Sequence, residues 1–166
     1  MNWQRIIKHL FTTHGPVNRA FPDSTLKKIT EAVQLCESQH HGEIRVAIEA
    51  SLDLPLVLKG IHSRQRALDV FSHLRIWDTE ANSGVLIYLL WADRQVEIIA
   101  DRGVHGHVTD KGWESICQEI EKAFKEGQFE TGILQGIERV SQELIKYFPR
   151  IGKEDKNELP NAPVML

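Results

Sequence analysis

The chain has 166 residues, enough for one domain with its own apolar core and too few for two of ordinary size. Apolar residues make up 42% and charged residues 26%, which excludes wholesale disorder, a collagen-like repeat and a disulfide scaffold. Twenty Lys and Arg against 23 Asp and Glu leave a formal charge of −3, without the basic excess that marks a nucleic-acid binder.

Trp3, Ile6, Ile7, Leu10 and Phe11 recur at helical spacing, and Arg5, Lys8 and His9 interrupt any run apolar enough for a signal peptide. Residues 1–22 therefore read as a short amphipathic helix and a connector bearing Pro16 and Pro22. The helix docks on the domain or makes peripheral contact with a membrane surface through residues 1–15. Asp23 then offers an N-cap to a helix with Leu26, Ile29, Val33 and Cys36 on one face, which Gly42 closes in a left-handed conformation.

From Gly42 the sequence GEIRVAIEASL alternates Ile44, Val46 and Ile48 with Glu43, Arg45 and Glu49, the mark of a half-covered strand. Its Glu-Arg-Glu row reads as a cross-strand charge ladder, or as the lining of a cleft if the strand lies beside the later hairpin. Residues 52–60 read as irregular, and 62–75 as a helix facing inward with Ala67, Leu68, Phe71 and Leu74. After a polar loop, GVLIYLLWA (84–92) is a continuous apolar strand covered on both faces. It is less than half the roughly 20 residues needed to span a bilayer, so the chain reads as soluble and cytoplasmic. Asp93 and Arg94 make a tight turn into a second strand, QVEIIAD (95–101), and the two form an antiparallel hairpin. A loop over 102–109, a helix capped by Asp110 and closed by Gly127, and a last helix over 130–148 follow. Residues 150–166 read as a flexible tail, leaving 23–149 as the domain. Cys36 and Cys117 read as buried thiols.

A strand, a helix and a parallel strand make one βαβ unit, and helices on either side of it must cover both sheet faces. The fold expected is a three-layer α/β/α sandwich with a Rossmann-like mixed sheet, a β-hairpin and a short N-terminal helix. No G-x-G-x-x-G, P-loop, H-E-x-x-H or G-x-S-x-G motif is present to carry common nucleotide, zinc-protease or hydrolase chemistry.

In a hairpin the start of one strand lies beside the end of the next, so residues 78–83 are expected to approach 101–103. Asp78, Asn82 and Asp101 would then supply oxygens for a hard divalent cation, with Thr79, Ser83 and Arg102 around them. Glu43 and Arg45 join this set if the first strand neighbours the hairpin.

These stretches, above all NSGVLIYLLWADRQVEIIADRG and the later EGQFETGILQGIERV, resemble the TPM domain, found in thylakoid-lumen, animal receptor-associated and many bacterial proteins. The resemblance spans about residues 23–148. It implies a Rossmann-like sandwich without a nucleotide fingerprint and a divalent-cation site near loop carboxylates, here Ca or Mg. Some members are associated with phosphatase activity, others with repair or assembly of membrane complexes. This sequence departs from the common pattern in lacking an export signal and a membrane-spanning or glycine-rich tail. It also has Asn82 and Ser83 where many relatives carry an Asp, which removes charge that would hold a cation. The function expected is therefore a non-enzymatic accessory or binding module with a protein partner, supporting a membrane-associated complex. The alternative is a metal-dependent phosphatase in which Arg102 clamps the phosphate.

Overall fold

Tyr88 is the one polar side chain of β2 (Gly84–Leu90), and every residue of that strand is buried. Such a strand is stable only inside a sheet with cover on both faces. The computed structural model, which describes residues 3–152 and 157–166, places it there. The sheet order is β3-β2-β1-β4. β1 (Glu43–Glu49) runs parallel to β2, from Glu43 opposite Gly84 to Glu49 opposite Leu90. β3 (Gln95–Ala100) returns antiparallel, from Leu90 opposite Gln95 to Val85 opposite Ala100. β4 (Val164–Met165) lies parallel to β1 on its other side.

The period-two alternation of the strands divides the apolar residues between two cores. On one face, Ile44, Val46, Ile48, Val85, Ile87 and Leu89 pack against α3 (Asp23–Glu37), α7 (Asp110–Lys125) and α8 (Phe129–Tyr147). On the other, Ala47, Leu86, Tyr88, Leu90 and Ile99 meet α4 (Leu54–Leu58), α5 (Ser63–His73), Ile6 of α1 (Trp3–Phe11) and Leu159. The result is the expected three-layer α/β/α sandwich with one parallel crossover and one hairpin.

Several local expectations are corrected. The connector over 16–22 contains a helix, α2 (His14–Ala20), with Pro16 in its first turn, where a missing N–H costs nothing. Pro22, not Asp23, is the N-cap of α3, and Thr109, not Asp110, caps α7 with its side chain. Gly42 does not adopt a left-handed conformation. It is required by packing, since a Cβ there would lie 2.8 Å from both terminal carbons of Leu144. The stretches taken as irregular at 52–60 and 102–109 hold the short helices α4 and α6 (Arg102–His105).

The larger correction concerns β1 and the C-terminal segment. The Glu-Arg-Glu row is not a solvent-facing ladder: Glu43, Arg45 and Glu49 are all buried, and Glu43 lines a cavity together with Glu37, His40 and Arg150. Residues 157–166 are not a free tail either, because they run over this polar row and end as β4; residues 153–156 lie outside those described. Glu43 accepts the backbone N–H groups of Glu158 and Leu159, each at 3.1 Å. Arg45 donates to the carbonyls of Pro160 and Ala162. Glu49 accepts a two-pronged bond from Arg66 of α5, with both nitrogens at 2.9 Å, and a further bond from the Tyr88 hydroxyl. Burial, reinforced by the Glu49 carboxylate, pushes the Tyr88 phenol far above its ordinary range.

Glu37, at the end of α3, accepts the Ile44 N–H at 2.9 Å. Burial pushes its pKa up to about 8; that hydrogen bond opposes the rise and the Glu43 carboxylate adds to it.

Two predictions follow from these buried carboxylates. Arg66→Ala removes the cation bonded to buried Glu49 among the described residues and should cost about 3 kcal/mol in urea unfolding, the low end for a broken buried pair because Arg66 is itself 26% exposed. A loss below about 1 kcal/mol would show that the pair contributes nothing. Glu37 holds its proton in the fold up to about pH 8, whereas the unfolded carboxyl loses it near 4.5. The native state binds more protons between those values, so stability falls as pH rises through them. Glu37→Gln keeps the Ile44 acceptor and abolishes this titration. Its gain in Tm over wild type should grow from pH 5 to pH 8 and then level off; a gain that does not change with pH rules the effect out.

Candidate functional site

The open end of the β2–β3 hairpin brings two loops together. The first, residues 75–83, begins and nearly ends at left-handed positions, Arg75 (φ 54°) and Asn82 (φ 49°), the second a residue type that tolerates this region. Inside it, Thr79 Oγ1 accepts the Ser83 N–H at 3.0 Å. Ser83 is fully buried, and its hydroxyl donates to the His41 carbonyl at 3.1 Å. Thr79 and Ser83 therefore fasten the loop beneath β1.

The second loop begins at Asp101, whose N–H donates to the Gly84 carbonyl at 2.8 Å. Asp101 Oδ1 caps α6 by accepting the Arg102 N–H at 2.7 Å, and Asp101 Oδ2 is buried with no hydrogen-bond partner among the described residues. Gly103 N–H donates to the Asn82 carbonyl at 3.0 Å, and Arg102 Nε donates to Asn82 Oδ1 at 3.0 Å. The Ala81 and Asn82 carbonyls press so closely on Gly103 that a Cβ there would lie 2.6 and 2.5 Å from them.

The structure thus joins Asn82, Asp101 and Arg102 but turns Asp78 elsewhere: its Oδ2 accepts Arg75 Nη2 at 2.7 Å on an exposed surface. Glu43 and Arg45 face the C-terminal segment instead of these loops. The oxygens the two loops offer are Asp101 Oδ2, which has no hydrogen-bond partner among the described residues, Asn82 Oδ1, which already accepts Arg102, and the Ala81 and Asn82 carbonyls, which lie against Gly103. The charge is low, with one carboxylate and the Arg102 guanidinium beside it. Among the described residues, no group of three or more His, Cys, Asp or Glu is placed to hold a metal ion.

A second constellation gives no sign in the hairpin's own sequence. Asp93, at the opposite turn, is not simply a turn residue: it anchors α1. Arg5 donates to its carboxylate through Nε at 3.1 Å and Nη2 at 2.9 Å, and also to the Ile61 carbonyl at 2.7 Å. His9 is buried, and its Nδ1 accepts the Leu52 N–H at 2.9 Å. Nε2 therefore carries the proton that His9 donates to Asp93 Oδ1 at 3.0 Å. Burial pushes the Asp93 carboxyl up, but the bonds from Arg5 and His9 outweigh it and hold the pKa below the ordinary value. The available sequence signal is Arg5 and His9 four residues apart on one helical face.

This fold and its hairpin-end loop cluster define a class of α/β/α domains with no nucleotide fingerprint. The chain matches the TPM domain over residues 18–143 and belongs to that family. It is similar to the BA42 protein of the psychrophilic bacterium Bizionia argentinensis, solved by NMR: 34% identity, TM-score 0.74, covering 93% of this chain and 95% of that one. The N-terminal domain of a P. gingivalis protein shares the fold at 17% identity and TM-score 0.61, covering 80% of this chain and 82% of that domain. No curated protein matches. No helix among the described residues is long and apolar enough to cross a membrane.

Proposed function

We propose that this TPM domain is a non-enzymatic accessory module that works by binding, and that its hairpin-end loops take a divalent cation weakly. The observation that carries the binding reading is the orientation of α1. Its polar side chains Arg5 and His9 are locked inward on Asp93, and Trp3, Ile7, Leu10 and Phe11 stand exposed at 64%, 53%, 62% and 74%. An apolar cluster fixed outward by buried polar bonds is a contact surface. The cation reading rests on Asp101 Oδ2, a buried carboxylate oxygen without a hydrogen-bond partner among the described residues. Phosphatase chemistry has less support. The Ser83 hydroxyl is buried and already bonded to the His41 carbonyl, so it is not available as a nucleophile, and Arg102 is engaged by Asn82.

Turnover of p-nitrophenyl phosphate by the wild type, with Ca or Mg present, should match that of Asp101→Asn and stay at background. A rate well above background that Asp101→Asn abolishes would overturn the binding reading in favour of catalysis. In thermal unfolding of chelator-stripped protein, Ca or Mg should raise Tm saturably, and Asp101→Asn should remove the rise. Saturation at 100 times Kd corresponds to about 2.7 kcal/mol. No shift with either ion would remove the cation from the proposal.

A further inference from the structure

Resting on the binding reading, we propose that the outward face of α1, with Leu54 and Leu58 of α4 beside it, docks on the interface of an anionic phospholipid bilayer. α1 and α4 pack against each other, and Leu54 and Leu58 are exposed. The exposed apolar residues of α1 fall at positions 3, 7, 10 and 11, one stripe of a helix, and Arg5, Ile6 and His9 occupy the opposite stripe against the domain. α1 cannot bury its apolar stripe by rolling over, because that would pull Arg5 from Asp93 and Ile61, and His9 from Asp93 and Leu52. The helix is thus held with its hydrocarbon side to solvent and its axis along the protein surface, the posture of an interfacial helix.

Charge and size select the occupant. The first carboxylate in the chain is Asp23, so residues 1–22 carry Arg5, Lys8 and Arg19 with no acidic residue, in a protein of net charge −3. Lys8 is exposed on α1, and exposed Lys59 follows Leu58 directly; of these groups' near neighbours in sequence, Asp53 at the N-cap of α4 is the one carboxylate. Arg5 is neutralised by Asp93, so Lys8 and Lys59 are the cations this surface sets beside its hydrocarbon, the complement of anionic headgroups over acyl chains. Its anchors are six side chains on two short helices, whereas a stable protein interface takes roughly 20–30 residues and about 800 Å² per partner. Trp3 at the start of α1 suits the headgroup boundary, with an apolar ring and a polar N–H.

The test is co-sedimentation of the full chain with large vesicles, either 1:1 phosphatidylglycerol–phosphatidylcholine or phosphatidylcholine alone. The wild type should pellet with anionic vesicles, at least ten-fold less with neutral ones, and less in 0.5 M than in 0.1 M NaCl. The double variant Ile7→Asp/Phe11→Asp changes only exposed positions and leaves the Asp93 anchor intact; it should lose at least ten-fold in binding at unchanged Tm, and Lys8→Glu should lose less. Failure of the wild type to pellet, or equal pelleting of wild type and double variant, would overturn the proposal. If vesicles are not bound while the wild type self-associates and the double variant stays monomeric by sedimentation velocity, the occupant is a second copy: the lipid proposal falls and the binding reading stands. Phosphate-ester turnover abolished by Asp101→Asn overturns the binding reading separately, so the two failures are distinguishable.

Discussion

The fold depends on the double-sided burial of β2. A strand reading GVLIYLL cannot tolerate water on either face, and that requirement puts helices α3, α7 and α8 on one side and α4 and α5 on the other. It also forces β1 inward. Once β2 occupies the middle of the sheet, its parallel neighbour is interior too, and the polar side chains on one face of β1 must find partners away from water. The architecture therefore turns a row that looks like a surface into a buried recognition strip.

That strip explains the course of the C-terminal segment. A carboxylate taken out of water needs donors, and a guanidinium needs acceptors. Backbone that belongs to no helix or sheet has both to give. Glu43 takes two N–H groups from residues 158 and 159, and Arg45 takes carbonyls from 160 and 162, so the segment is threaded across β1 before Val164 and Met165 join the sheet. The same logic at the other terminus gives α1 its place: Asp93 satisfies Arg5 and His9 and fixes which way the helix faces.

The layers and strand directions were legible because they rest on periodicities that tertiary structure rarely overrides, such as the unbroken apolar run of 84–90 and the spacing of Ile133, Ile137, Val140 and Leu144. The approach of Asn82 to Asp101 followed from hairpin geometry alone. Other features depend on partners distant in sequence. Nothing local to Glu43 announces Leu159, 116 residues away, and Asp93 looks like any turn aspartate until Arg5 arrives from 88 residues upstream. Asp78 stands apart for a related reason: loop composition indicates carboxylates but not their rotamers, and Arg75, three residues away, bonds this one. A glycine at the end of a helix suggests backbone freedom, but at Gly42 it is the missing side chain that matters, because Leu144 fills the space.

The two-residue β4 has a consequence out of proportion to its length. Leu166 bonds to β1 and the residue just beyond it, its N–H donating to the Ile48 carbonyl at 2.9 Å and its carbonyl accepting the Ala50 N–H at 3.3 Å. Among the described residues, these last ones are the strand that pairs with β1 on the side away from β2. Proteolytic trimming of a few residues there would convert an interior strand into an open edge, with a row of unmet donors and acceptors that another chain could pair with. The C-terminal segment thus covers the side of β1 against edge-to-edge sheet growth.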